Sequence, residues 1–395
     1  MRLLGTLDRN LLRASLDDIG ADGWLLYDFH GLNPVASRML DMGGMATRRI
    51  FVWLPREGDL VAIAHRIELQ PLKSFPGRVI PYARHQELHD ALRGVIQGRR
   101  VAMEISPDDA VPYLDRIPSG VVQLLTRLGA MVVPSASLVT RFAATWSAGE
   151  LDDHIHAAEV LARVAKDALL GAVTLGGTGL RETELQAQVI AAMKAGGLVT
   201  NAPPIVGFGV NSANPHYEPI AGSDAELVGG DVILIDLWGG RSRDTVFADQ
   251  TWMGFAGERV PDEVDRVWRT VRDARDAAVS FLRRTYSEGK RVAGFELDRA
   301  ARTLISEAGY GDAFVHRTGH SIDHDLHGSG PHLDDYETHD DRILMSGIGF
   351  SVEPGVYLHG RFGVRSEINV HLSGDEVQVT PREIQRDLIH AGREG

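Results

Sequence analysis

The spacing of apolar and polar positions divides the chain into two stretches of different texture. Residues 1 to about 145 carry short apolar runs closed by turn residues, "GWLLYDF", "RRIFVWLP", "GDLVAIAH", "RRVAMEI" and "AMVVPSA". Between them lie segments such as "LLRASLDDIG" and "VVQLLTRLGA", whose apolar residues recur every three to four positions. Short strands interspersed with helices predict an α/β domain. Near residue 146 the texture changes. Ser147 followed by Glu150 has the spacing of a capping box and opens a long helical pattern, "GELDDHIHAAEVLARVAKDALLGA". Beyond it the pattern predicts a helix in "RETELQAQVIAAMKAGG", a strand pair around 231–253, a charged helix over about 261–288, another over about 294–308, and strands to the end. Two domains follow, 1–145 and 146–395.

The second domain contains a coarse repeat of hairpin candidates. "DVILIDLWGG" with "TVFADQTWMG" forms one, and "GIGFSVEPGVYL" with "GVRSEINVHL" forms the other. Each strand carries one carboxylate in an apolar setting: Asp236, Asp249, Glu353 and Glu367. By the two-residue period of a strand, Asp236 shares a face with Leu234 and Val232, away from Ile233 and Ile235. A carboxylate so placed loses hydration worth several kcal/mol unless something pairs with it. Four in matched hairpins either have separate cationic partners or share cations. Two divalent ions would balance four carboxylates and leave a bridging hydroxide as nucleophile, with metal centres about 3.5 to 4 Å apart.

Composition narrows the chemistry. No cysteine occurs in the 395 residues, so disulfides, thiolate ligands and a cysteine nucleophile are excluded, and any metal binds through oxygen and nitrogen. The formal charge of −13 argues against nucleic-acid and anionic-membrane partners, which need a basic face. The N-terminal "MRLLGTLDRNLLRASLDDIG" lacks a signal-peptide core and no run reaches membrane-spanning length, so a cytoplasmic location is expected. A nitrogen ligand is available in "HRTGHSIDHDLHGSGPH", which holds His316, His320, His324, His327 and His332. A helix would align the first three, but Gly319, Ser321 and Ile322 disfavour it, and strand and loop are expected instead. On a strand His320 and His324 share a face, whereas His327 needs a bend to join them. The acidic run "HLDDYETHDD" at 332–341 reads as solvated surface.

Taken together, "GVNSANPHYEP", "LIDLW…VFADQTW", "HRTGH…LHG", "FSVEPGVYL" and "VRSEINV" resemble the pita-bread metallopeptidases: Xaa-Pro aminopeptidase, prolidase and methionine aminopeptidase. "MEISPDDAVPYLDR" and "RFAATWSAGELDDHIHAAEVLARV" are similar to the creatinase-type amino-terminal domain of the proline-specific branch. The resemblance implies an α/β N-terminal domain followed by an α+β pita-bread (creatinase/aminopeptidase-like) catalytic domain. It makes Asp236 a terminal ligand of one metal, Asp249 and Glu367 bridging ligands, and His320 and Glu353 the ligands that complete the second metal. The intervals of fourteen from Glu353 to Glu367 and seven from His320 to His327 agree with it. His216 and His327 match two non-ligand histidines that orient the carbonyl and stabilise the tetrahedral intermediate. Glu353 is the implied proton shuttle, His316 an outer neighbour, and Arg365 a hydrogen-bond donor to the metal carboxylates.

The implied activity is hydrolysis of a Xaa-Pro bond by a metal-bridging hydroxide, with two divalent ions per chain drawn from Mn, Co, Fe or Zn. The substrate is a peptide or small molecule, and the relatives imply a homodimer. Three positions depart from the family. Asp236 and Asp249 are thirteen residues apart, which enlarges the turn "GGRSRD" and makes Asp244 a competitor, with Asp249 preferred. Ser321 and Gly328 stand where Gly and Glu are frequent. These departures leave a non-peptidase enzyme on the same scaffold, acting on a small amide or related metabolite, as the alternative. A binding module with a dead site, as in a histone chaperone, is disfavoured because every ligand position is filled.

Overall fold

In the computed structural model the described residues are 2–40, 47–174 and 179–392. The chain divides into two compact units, with the division between Ala144 and Thr145.

The first unit is a six-stranded mixed sheet in the order β4-β3-β2-β1-β5-β6. Its strands are β1 (Gly23–Asp28), β2 (Ile50–Pro55), β3 (Leu60–His65), β4 (Gly77–Tyr82), β5 (Arg100–Met103) and β6 (Met131–Pro134). The helices are α1 (Arg2–Gly5), α2 (Arg9–Asp18), α3 (Pro34–Leu40), α4 (His85–Ile96), α5 (Ser119–Arg127) and the single turn α6 (Ala136–Leu138). "GWLLYD" is buried along its whole length because both faces of β1 are covered. Trp24 and Leu26 pack with Leu12 and Leu16 of α2 and Met39 of α3, while Leu25 and Tyr27 pack with Leu88 and Leu92 of α4 and Leu124 of α5. The runs that announced strands are β1, β2, β3, β5 and β6. Strand β4 gave no such signal, since "GRVIPY" is largely solvent-facing and contains Pro81, as suits the edge of a sheet.

The second unit begins with the capped helix α7 (Ala148–Thr174). Ser147 N donates to Glu150 Oε2 at 2.7 Å, and Glu150 N donates to Ser147 Oγ at 3.3 Å. Helices α8 (Glu182–Ala195), α9 (Asp262–Ser287) and α10 (Gly294–Glu307) follow the sequence pattern. Strands β7 (Ile205–Phe208), β8 (Val232–Gly239), β9 (Ala248–Phe255) and β16 (Ile389–His390) form one sheet in the order β16-β9-β8-β7. Ile233, Ile235 and Leu237 of β8, with Ala248 and Trp252 of β9, pack against Leu161 and Leu169 of α7 and Leu185 and Val189 of α8. By strand parity the opposite face carries Leu234 and Asp236 on β8 and Asp249 and Thr251 on β9. The helices thus cover one side of this sheet and leave the carboxylate side to the site.

The remaining strands are β10 (Ser321–Ile322), β11 (Gly349–Val352), β12 (Gly355–Leu358), β13 (Phe362–Arg365), β14 (Ile368–Ser373) and β15 (Glu376–Thr380). Here the structure corrects one expectation. The second hairpin is made of two paired pieces, β12 with β13 and β11 with β14, and Glu353 and Glu367 sit in the breaks between them. Pro354 has no N–H to give to a ladder. The glutamate amides turn to other segments: Glu353 N donates to Thr318 O at 2.7 Å, and Glu367 N to Thr251 O at 3.4 Å. The break therefore ties each glutamate to the segment bearing another candidate ligand.

Candidate metal centre

The first hairpin sets two carboxylates by register. Asp236 lies opposite Thr251, and Asp249 opposite Trp238, so Asp236, Thr251 and Asp249 share one face of antiparallel β8 and β9. The enlarged interval is taken up in the turn after Gly239. Asp244 is exposed within that turn, whereas Asp249 is buried and faces the other candidate ligands.

His320 arrives on a segment that runs against β11 at unusually short range. A Cβ on Gly319 would lie 2.0 Å from Ser351 O, so only glycine permits the approach. Ser351 Oγ then accepts from His320 N at 2.9 Å and donates to Glu353 Oε1 at 3.0 Å. The imidazole Nδ1–H donates to Ser321 O at 3.1 Å, which leaves the Nε2 lone pair facing inward. Nε2 is 3.3 Å from Glu353 Oε1 and 3.5 Å from Asp249 Oδ2.

Arg365 organises the opposite side. Its Nη2 donates to Asp236 Oδ2 at 2.5 Å, and its Nε to Thr251 Oγ1 at 2.8 Å; Thr251 Oγ1 in turn donates to Glu367 Oε2 at 2.8 Å. One oxygen of Asp236 and one of Glu367 are thereby fixed. Their other oxygens, Asp236 Oδ1 and Glu367 Oε1, are buried and have no hydrogen-bond partner, and the same holds for Asp249 Oδ1. Single ligand atoms of Asp249, His320 and Glu367 lie within 4.8 Å of one another. Unsatisfied buried carboxylate oxygens facing an imidazole nitrogen are what an oxygen- and nitrogen-liganded divalent ion requires, and the residues fit that group.

The electrostatics agree with the geometry. Four carboxylates face one guanidinium, and the cluster bears the strain of that excess. Burial raises Asp236 to about 7 despite Arg365, and burial raises Asp249 as well. Glu367 is driven well above the carboxylate range by burial and then by the charges of Asp249, Glu353 and Asp236. For Glu353 burial acts upward, but His320, His316, Arg365 and His327 together hold it down at about 2. Burial works against protonation of His320, yet its contacts with Asp249 and Glu353 raise it.

The five histidines of the stretch 316–332 separate. The strand carrying Ser321 and Ile322 ends at once, so the shared face expected for His320 and His324 does not form. His324 instead pairs with Glu150 at 2.5 Å. The chain bends back through Asp323–His327, and the His327 ring centroid comes to 4.3 Å from that of His320. Burial, followed by the charges of His320 and Arg317, lowers His327 to about 3, so it is a neutral donor at working pH. His316 Nδ1–H donates to Arg317 O at 2.7 Å, and its Nε2 accepts from Tyr357 OH at 2.8 Å. His332 is buried, and its Nδ1 accepts from Ser321 N at 3.1 Å. His216 is exposed on the turn at Pro215, whose carbonyl accepts from Arg365 Nη1 at 3.4 Å, and its charge acts on His327.

Two further expectations are settled by packing. A Cβ at Gly328 would lie 2.6 Å from the Asp323 carboxylate, so the Asp323 side chain has taken the room that a larger residue 328 would need. The acidic run 332–341 is not all solvated. Asp334 is buried and caps Tyr336 N, Glu337 N and Thr338 N, and buried Asp340 pairs with Arg342. Thr251 and Ser351, which hydrogen-bond the candidate ligands, were missed in the sequence. Parity could have found Thr251, two residues after Asp249; Ser351 carried no signal of its own.

A core of antiparallel strands that draws carboxylates around one imidazole marks a metal-dependent enzyme of the pita-bread class. Residues 147–373 match the profile described as metallopeptidase family M24, and the chain belongs to that family and is a metallopeptidase. It is 30% identical over 328 residues to the probable dipeptidase PepE of Mycobacterium tuberculosis, covering 82% of this chain and 80% of that one. It is 31% identical over 220 residues to the Xaa-Pro dipeptidase of Pyrococcus furiosus, covering 55% and 58% respectively. The fold matches the crystal structure of dipeptidase PepE from Mycobacterium ulcerans over 97% of this chain and 96% of that chain, with a TM-score of 0.75 at 23% identity. It matches recombinant prolidase from Thermococcus sibiricus over 97% and 98%, with a TM-score of 0.66 at 25% identity.

Proposed function

We propose that the protein is a dinuclear Xaa-Pro peptidase of the prolidase or aminopeptidase P type. The observation that supports this reading is the convergence of Asp249 and Glu367 with His320 in a buried cluster whose negative charge exceeds its positive charge, where Asp236, Asp249 and Glu367 each keep one oxygen without a hydrogen-bond partner. The names of the similar dipeptidases and Xaa-Pro dipeptidase supply the substrate class. Asp236, Asp249, His320, Glu353 and Glu367 would hold two divalent ions, with Mn, Co, Fe and Zn all compatible with the donor set. When bound, the ions supply Lewis acidity at the scissile carbonyl and bring the pKa of a water towards neutrality.

The chain's own residues do the rest. Glu353 takes a proton from the attacking water on its carboxylate and delivers it to the nitrogen of the leaving amine. His327, neutral because of its burial, and His216 donate N–H groups to the carbonyl oxygen as negative charge develops there. Arg365 grips both Asp236 and the Pro215 carbonyl, so one guanidinium fixes a ligand and the segment bearing His216. In this reading the protein works on peptides in the cytoplasm as a homodimer, without a nucleic-acid or membrane partner. Among the described residues no helix is long and apolar enough to cross a membrane.

The test is elemental analysis of the purified protein together with a panel of proline-containing di- and tripeptides. About two divalent ions per chain and cleavage of alanyl-proline or a related peptide are expected. A single bound ion removes the dinuclear assignment, and hydrolysis of small amides with no peptide cleaved at proline removes the substrate assignment.

A further inference from the structure

Glu182, the first residue of α8, is fully buried and stands outside the candidate metal centre. Its Oε1 accepts from Phe208 N at 2.7 Å and Asn211 Nδ2 at 3.0 Å. Its Oε2 accepts from Tyr217 OH at 2.7 Å and Ala225 N at 2.8 Å. All four donors belong to one stretch, 208–225, whose regular structure beyond Phe208, the end of β7, is the single 3-10 segment Gly209–Ala213. A buried carboxylate is costly unless its lone pairs are used, and here neutral donors use them. A residue that only closed a loop would need the two ends, Phe208 N and Ala225 N. The additional bonds reach Asn211 and Tyr217, the side chains that bracket Pro215 and His216. From the other side Arg365 Nη1 holds Pro215 O at 3.4 Å, so the stretch is pinned between a carboxylate at its back and the guanidinium that also grips Asp236.

We infer that Glu182 is a positioning residue: through Asn211 and Tyr217 it fixes the 208–225 stretch and holds His216 where the substrate carbonyl is engaged. The inference rests on the role given to His216 above. Gln cannot replace Glu182 in this task. It keeps the shape but turns one acceptor atom into a donor that faces donors.

The test compares Glu182→Gln, Tyr217→Phe and His216→Ala in the metal-loaded full chain, with alanyl-proline as substrate. Glu182→Gln lowers kcat by roughly a hundredfold, because small misplacements of an orienting group carry that cost. Its metal content stays unchanged and its KM moves by less than about threefold, since only an interaction strengthening in the transition state is lost. Tyr217→Phe, which deletes one of the four bonds, shifts kcat in the same direction by about tenfold. In the His216→Ala background Glu182→Gln changes kcat by less than about twofold, because two residues acting through one element are not additive. Equal losses in both backgrounds, or an unchanged kcat in folded Glu182→Gln protein, overturn the inference. If Glu182→Gln does not fold, Tyr217→Phe carries the same cycle with the same criterion. If His216→Ala leaves kcat untouched, the assignment of His216 fails on its own. Deuterium exchange then decides on the anchor: faster exchange confined to 208–225 in the variant supports it, and unchanged exchange overturns it.

Discussion

Two kinds of buried carboxylate coexist in the molecule. Glu104, just after β5 in the first unit, is fully buried, and its oxygens accept from Trp24 Nε1 at 2.6 Å, Asn33 Nδ2 at 2.9 Å and Ser135 Oγ at 3.1 Å. Asp236, Asp249 and Glu367 are also buried, yet each keeps one oxygen without a partner. Burial raises the pKa in both places. What distinguishes them is satisfaction: the first environment is complete within the chain, and the second leaves one acceptor oxygen on each carboxylate open. An acidic residue in an apolar setting is therefore no indicator of a metal until its donors have been counted.

The largest effect expected from this contrast is on catalysis. Asp249→Ala or Glu367→Gln lowers kcat/KM by roughly a thousandfold or more, since several kcal/mol of charge stabilisation is at stake, and bound metal measured by elemental analysis falls with it. Asp244→Ala leaves metal content unchanged, and loss of metal there would reverse the choice between the two aspartates. Chelation comes next. Removing the ions lowers unfolding stability by about 3 kcal/mol relative to protein held at about a hundredfold excess over Kd, as read from urea midpoints. In the metal-free chain the signs split. Glu367→Gln raises the midpoint at neutral pH, because a carboxyl whose folded pKa is raised costs stability above its unfolded pKa.

Glu104→Ala does the reverse. It strips three donors of their acceptor and costs about 2 kcal/mol, with metal content and kcat retained. The smallest effect sharpens the contrast with a satisfied group of opposite charge type. His154 is buried, its Nδ1–H donating to Phe247 O and its Nε2 accepting from Thr380 Oγ1, both at 2.9 Å. Burial lowers it to about 4. The unfolded chain takes up a proton near the ordinary value of 6.5 while the folded chain does not, so stability falls as pH drops from 6.5 towards 4. Wild type loses about 2 kcal/mol between pH 7 and 5 through this residue, and His154→Gln lacks that slope in paired urea titrations.

Legibility in the sequence followed the range of the forces involved. Runs such as "GWLLYDF" and the capping pair Ser147 and Glu150 encode their structure locally, and they appear as β1 and the start of α7. Asp236 could be assigned a face from its neighbours alone, because Ile233, Ile235 and Leu237 claim the helical side. The displacement of Glu353 and Glu367 from their strands could not be seen in that way, since it depends on Thr318 and Thr251 accepting their amides. The histidine stretch reads as strand and loop, but the placing of its individual histidines is hidden for the same reason. His324 and His327 part company through contacts with Glu150 and His320, which no periodicity records. Glu182 was invisible as a participant. Its donors lie between 26 and 43 positions further along the chain, and nothing in "RETELQ" announces them.

The close passage of Gly319 against Ser351 fixes more than one hydrogen bond. With 2.0 Å between a would-be Cβ and that carbonyl oxygen, the spacing of the two backbones that carry His320 and Glu353 is a main-chain dimension, like the span of a rigid caliper. Exchanging a neighbouring side chain does not part those backbones, so any change in the 3.3 Å between imidazole and carboxylate has to come from the two side chains themselves.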